Sequence, residues 1–260
     1  MTWSADVGTD AWIRCFRRRR RAAVRLVCFP HASGSAGYFR PWAALLPPDV
    51  ELRAVQYPGR EDRMDEPMPE TLTAMAVQIA AALAARDQRD LVLFGHSMGA
   101  VVAYEVAVRL AGGHGPVNRL VVSGQPAPHM TRDDRRNVLG DDELIEELVD
   151  LGGVERQLLR DDDVRRLLLP VVRADLRLIE SHRYTAHDRL PIPVSAFTGT
   201  SDPEVTEEEA AGWERYTRAG FDLHRFEGDH FYLTAQRRQV VQRLCAVLGV
   251  GAASAWPSTP

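Results

Sequence analysis

The stretch "DLVLFGHSMGAVVAYEVAVRLAG" (Asp90–Gly112) constrains this chain more than any other. An apolar run of strand type, "DLVLF", passes into a run of helix type, "GAVVAYEVAVRLAG", with only "GHSM" between them. A turn that sharp crowds the backbone two residues before and two residues after its apex. The apex is Ser97, and the crowded positions are Gly95 and Gly99, which carry no side chain to clash. Ser97 then stands at a helix N-terminus, where free N–H groups and the helix dipole favour developing negative charge. The plain alternative is a glycine-rich strand-to-helix turn with an incidental serine. A preceding strand and a following helix are the context that a G-x-S-x-G nucleophile elbow requires, and this stretch supplies both.

The same alternation runs along the chain. "AVRLVCF" (Ala23–Phe29), "ELRAVQY" (Glu51–Tyr57), "NRLVVSG", "IPVSAFTG" (Ile192–Gly199) and "FDLHRFE" (Phe221–Glu227) read as strands. Helical patterns fall between them at "TLTAMAVQIAAALAAR" (Thr71–Arg86) and close the chain at "QRRQVVQRLCAVL". Strand and helix in alternation predict an α/β fold, a mostly parallel central sheet covered by helices on both faces. One segment departs from it. From about 132 to about 189 the pattern is helical only, as in "DDELIEELVDLG" and "DDDVRRLLLPVVRADLRLIESHRY", which predicts a helical lid inserted between two consecutive strands of a single 1–260 domain. Its apolar positions, Leu167, Leu168, Leu169, Val171, Val172, Leu178 and Ile179, have helical spacing and are expected mainly to pack the lid onto the core. The tail 251–260, "GAASAWPSTP", is expected to be disordered.

Composition removes several classes of function. A length of 260 residues with 45% hydrophobic content suffices for a full-sized core. No stretch approaches the ~18 apolar residues of a membrane helix, and no basic start with an apolar run marks a signal peptide. Three cysteines, Cys15, Cys28 and Cys245, at unrelated spacings fit a reducing cytoplasm, and none has a partner at metal-ligand spacing, so no metal is expected. The basic run Arg17–Arg21 is read as a solvated segment ahead of the first core strand, because a net charge of −4 argues against a nucleic-acid partner. Docking of that run to an acidic carrier protein is the alternative.

A serine hydroxyl needs a base, and the base an orienting acid. In α/β-hydrolases these follow in the order Ser, Asp, His. "FTGTSDP" places Asp202 just after a predicted strand, and "FEGDHF" places His230 just after the next, so Ser97, Asp202 and His230 are the candidate catalytic residues. Asp229 adjoins His230 and is expected to point elsewhere. Asp133 and Asp134 lie at the lid entrance and read as a solvated face. His96 is expected to face away from the site as a structural hydrogen-bonder, and His31 to support its own loop. His114, His129, His182, His187 and His224 have no matching strand-end context. The oxyanion hole is expected from the backbone N–H of Met98 and from the loop "HASGSAGYF", with Ala32 as the donor and Ser33 as the second choice.

With these residues in hand, the chain resembles the stand-alone type II thioesterases of polyketide and nonribosomal peptide assembly lines, from about Trp12 to about Leu248. The matching stretches are "FPHASGSAGYFRPWAALLP", "VQYPGRED", "FGHSMGA", "SGQPAP", "LPVVRADLRLIESHRY", "TGTSDP" and "GDHFYL", with Pro30–Ala32, Tyr57–Arg60 and Arg173–Asp175 as family hallmarks. Two positions depart from the pattern: Ser33–Gly34 stands where the family commonly has two glycines, and Gln125 where it often has arginine. The resemblance implies an α/β-hydrolase fold and hydrolysis of short or stalled acyl groups from the phosphopantetheine arm of a carrier protein. It implies no cofactor, no membrane, and a free-standing monomer in the cytoplasm. A carboxylesterase or lipase with the same triad is the competing reading, and a non-catalytic binder of carriers or small ligands is another.

Overall fold

The computed structural model describes residues 11–85, 90–111, 117–130, 135–154, 156–185 and 187–250. Expectations for the tail 251–260 and for Asp133, Asp134 and His114 lie outside these residues.

Seven strands form one sheet: β1 (Ile13–Arg14), β2 (Val24–Phe29), β3 (Val50–Val55), β4 (Asp90–His96), β5 (Val117–Ser123), β6 (Val194–Gly199) and β7 (Phe221–Phe226). The spatial order is β1-β3-β2-β4-β5-β6-β7. Every pair is parallel except β1 with β3, an antiparallel edge pair that the sequence pattern did not predict. Two residues carry no periodicity, so β1 has no sequence signal of its own. The interior strands are continuous apolar runs because both faces are covered; β2 and β6 are buried at every residue.

Helices α1 (Leu72–Ala84), α2 (Met98–Ala111) and α7 (Arg237–Val247) flank the sheet, with two shorter ones, α5 (Glu207–Ala211) and α6 (Tyr232–Ala235), and two more in the insertion. Thr71 starts α1 by accepting the Ala74 N–H at 3.0 Å, which satisfies one of the first-turn donors. The loop expected after β2 is helical in its second half, a 3-10 stretch over Ala36–Ala44 that buries Phe39 and Trp42. Proline at 193 lacks an N–H, and β6 begins one residue later than it, not at Ile192.

The sheet order fixes where a site can form. From β2 the chain steps to β3 on one side and returns to β4 on the other. The loops leaving β2 and β4 therefore diverge, and a crevice opens at their carboxyl ends. Between β5 and β6 come α3 (Asp141–Asp150) and α4 (Asp162–Ser181). Leu144, Ile145, Leu159, Leu169 and Val172 give this insertion a small core of its own, separate from the two cores on the faces of the sheet. Leu178 instead joins the main core, while Leu167 is 67% exposed.

The basic run divides. Arg17, Arg18, Arg20 and Arg21 are exposed as expected, but Arg19 folds back onto the chain. Its guanidinium donates to the carbonyls of Val50 at 2.8 Å, Ala43 at 3.0 Å and Pro47, and its amide donates to Glu51 at 2.6 Å. Arg19 thus closes the turn that leads into β3 and is a structural residue, not part of a solvated face.

Candidate active site

The elbow forms as its glycines require. Ser97 has a φ of +53°, the left-handed region that costs a side-chain-bearing residue about 1–2 kcal/mol. A Cβ on Gly95 would lie 2.1 Å from the carbonyl oxygen of Gly99, and one on Gly99 would lie 2.0 Å from that of Phe29 on β2. The turn therefore closes only with glycine at both positions, and the strain is held by close contact with β2. The Ser97 amide donates to Ser123 O at 2.8 Å, which fixes the apex against the end of β5.

Asp202 follows β6 and His230 follows β7. His230 Nδ1 lies 3.0 Å from Asp202 Oδ2 and 3.1 Å from Oδ1. Both side chains are almost fully enclosed, at 4% and 0% exposure, so the pair is shielded from water. Asp202 Oδ1 also accepts the Glu204 amide at 2.8 Å, which orients the carboxylate. The rival acid, Asp229, turns back to accept the Phe231 amide at 2.8 Å, as expected for a residue adjoining the histidine.

Two further histidines surround His230. His96 is fully buried, and its Nδ1 lies 3.0 Å from Ser123 Oγ, which in turn bonds the Tyr232 hydroxyl at 2.6 Å. It is the structural hydrogen-bonder expected; it does not border the cavity, but its ring lies 4.9 Å from the His230 ring. Gly124, at φ +56°, makes room for both, since a Cβ there would meet His96 at 2.7 Å and His230 at 3.2 Å. His31 packs edge-on against Tyr38 and Phe231. Burial first, then the neighbouring His230 and Arg60, push its pKa down to about 3, so it is neutral at physiological pH. Burial likewise holds the His96 pKa well below its ordinary value.

Ala32 and Ser33 stand at the turn after β2, where Gly34 N–H closes onto His31 O at 3.0 Å. Ser33 takes φ +64° there, in the family's glycine position. Ser97, His230, His31, Ala32 and Ser33 all border one cavity of about 540 Å³. Leu144 and Leu148 of α3 and Val172, Leu176 and Ile179 of α4 line it too, interspersed with charged side chains such as Glu147, Glu180 and Arg183; Gln125 also borders it. Ile179 and Val172 belong to the lid stripe that the sequence pattern assigned to packing, and here they pack and line at once. Two residues outside the predicted set, Arg60 and Asp175, hold the Ser33–Gly34 turn beside this site. No local signal marks them, since 115 residues separate them and only the resemblance singled out their motifs. No group of histidine, cysteine, aspartate or glutamate side chains capable of holding a metal occurs among the described residues.

A strand-to-helix serine elbow, an Asp–His pair from the next two strand ends and an adjoining cavity define a serine hydrolase of the α/β-hydrolase fold. Residues 24–248 match the family model of the thioesterase domain, and the chain belongs to that family and is a thioester hydrolase. It is 40% identical over 237 residues to the thioesterase PikA5 of Streptomyces venezuelae, covering 90% of this chain and 84% of that protein. It is also 40% identical over 232 residues to a probable cadicidin biosynthesis thioesterase of Streptomyces griseus, covering 89% of this chain and 64% of that one. Among solved structures, the type II thioesterase BorB from the borrelidin biosynthetic cluster superposes with a TM-score of 0.85 at 40% identity, over 92% of this chain and 98% of BorB.

Proposed function

We propose that this thioesterase releases acyl groups held as thioesters on the phosphopantetheine arm of carrier proteins in a polyketide or nonribosomal peptide synthase, acting as a monomer in the cytoplasm. The observation that carries the reading is that Ser97, His230 and the Ala32–Ser33 turn border one cavity partly lined by apolar side chains of the insertion, with the His230–Asp202 bond behind them. The names of the relatives supply the setting. No helix among the described residues is long and apolar enough to cross a membrane.

The steps follow from the atoms available. Asp202 engages His230 Nδ1, which leaves Nε2 as the basic nitrogen. Nε2 takes the Ser97 hydroxyl proton as Oγ adds to the thioester carbonyl. The oxygen of that carbonyl becomes negative and is held by the backbone N–H groups of Met98 and Ala32. Collapse breaks the C–S bond, and the sulfur leaves with the proton carried by His230. Water then adds to the acyl-serine by the same route, its proton passing to His230 and on to Ser97, and the free acid departs. These steps use side chains and backbone N–H groups of the protein together with water; the phosphopantetheine belongs to the partner.

The test presents one acyl group on a phosphopantetheinylated carrier protein, on a pantetheine mimic and as a simple alkyl ester, with wild type and Ser97→Ala. Release that depends on Ser97 and is fastest from the carrier is expected. Release fastest from the ester, with carrier substrates ignored, would make the protein a general esterase.

A further inference from the structure

The second oxyanion donor can be assigned by asking where each amide of the Ala32–Gly34 turn goes. Gly34 N–H donates to His31 O at 3.0 Å. Ser33 N–H donates to Asp175 Oδ2 at 2.6 Å. Ala32 N–H has no acceptor among the described residues. Ser33, one of the two candidates, is therefore already committed, and Ala32 remains.

The acceptor that commits it is unusual in its position. Asp175 is on α4, in the helical insertion, 142 residues from Ser33 in sequence, and it is fully buried. A buried carboxylate needs compensation, and Arg60 provides it: Nη1 reaches Oδ2 at 2.8 Å and Nη2 reaches Oδ1 at 2.7 Å. The same guanidinium also donates to Gly34 O at 3.0 Å, and Tyr57, three residues before it, donates its hydroxyl to Pro30 O at 3.3 Å. The loop from 30 to 34 is thus gripped from the β3 side by Tyr57 and Arg60, and from the insertion by Asp175. It needs that grip, because Ser33 is held at φ +64° without the freedom of a glycine.

We propose that Asp175 is a positioning residue for the oxyanion hole: seated on Arg60, it takes the Ser33 amide, fixes the turn, and leaves the Ala32 amide as the donor that meets the substrate's carbonyl oxygen. The hole is then complete only while α4 is docked, so the insertion that walls the acyl chamber also switches on the transition-state contact. This rests on the assignment of Ser97 and its partners made above.

Three variants test it: Asp175→Ala, Asp175→Asn, and the double variant Arg60→Met with Asp175→Leu, which replaces the buried ion pair by apolar side chains of similar size. Each is measured with an acyl-pantetheine thioester for kcat and KM. Each is also titrated with an acyl trifluoromethyl ketone, whose adduct on Ser97 carries the oxyanion, and with the unreactive acyl amide. Loss of the acceptor is expected to lower kcat about 10²-fold, as a misplaced donor does, with KM and amide affinity within about threefold of wild type. Ketone affinity is expected to fall in parallel with kcat/KM. Asp175→Asn keeps one acceptor oxygen but turns an amide towards Arg60, and an intermediate loss of about tenfold is expected. Circular dichroism identifies the folded variants, and the isosteric Asp175→Asn decides the matter if the other two unfold. Any folded variant with wild-type kcat, or ketone and amide affinities that fall together, overturns the proposal. Ser97→Ala in the same assay separates the two readings: residual release there defeats the assignment of Ser97, whereas a silent Ser97→Ala beside an unimpaired Asp175 variant defeats only the role of Asp175.

Discussion

Gly95 and Gly99 face each other across the elbow so closely that one added carbon at Gly95 would sit 2.1 Å from the Gly99 carbonyl oxygen. The neighbour is backbone, so it has no rotamer by which to yield. Gly95→Ala is expected to cost about 3 kcal/mol or more, beyond ordinary overpacking of a core. Urea unfolding monitored by circular dichroism measures it, and a loss below about 1 kcal/mol would show that the turn can relax.

Asp202 holds His230 by its Nδ1. Asp202→Asn preserves shape but removes the charge that stabilises the imidazolium and favours the wrong tautomer. Turnover is expected to fall by about 10⁴-fold with little change in melting temperature. Undiminished turnover would place the orienting acid elsewhere.

Burial keeps His31 neutral, with a pKa near 3 against an ordinary 6.5. Between those values the unfolded chain binds a proton that the folded chain refuses. Stability from this group is therefore complete above about pH 6.5 and is lost as the pH falls towards 3, on the order of 1 kcal/mol per pH unit. His96 acts in the same direction. Unfolding free energies from pH 7 to pH 4 are expected to drop more steeply for wild type than for His31→Gln. Parallel profiles would mean that His31 takes up its proton in the folded state.

Arg19 caps three carbonyls around the turn into β3, whereas Arg17, Arg20 and Arg21 are exposed. Arg19→Ala is expected to cost about 1–2 kcal/mol, the scale of charge-assisted hydrogen bonds discounted for partial exposure. The triple change of Arg17, Arg20 and Arg21 to alanine is expected to stay within about 0.5 kcal/mol of wild type. Equal effects from the two variants would return Arg19 to the solvated run.

What could be read from the sequence was what short segments specify. The elbow is legible because strand, glycines, serine and helix are contiguous, and their conflict with any other turn is local. Asp202 and His230 are legible because each follows a strand with its own apolar pattern, and parallel strands send all such loops to one edge of the sheet. The two-residue β1 is too short to carry a pattern, and the fold of Arg19 onto Ala43 and Val50 depends on where a later turn lies.

The sequence by itself determined the α/β alternation, the serine elbow and the order of its partners, since these rest on periodicity and on steric rules within a few residues. Only the tertiary structure decided which amide of the Ala32–Ser33 pair stays free, that His96 lies against His230, and that Arg60 meets Asp175. Each of these is a contact between segments far apart in the chain. A side chain's role there is set by which groups share a desolvated volume with it, and that is known only once the insertion has closed over the sheet.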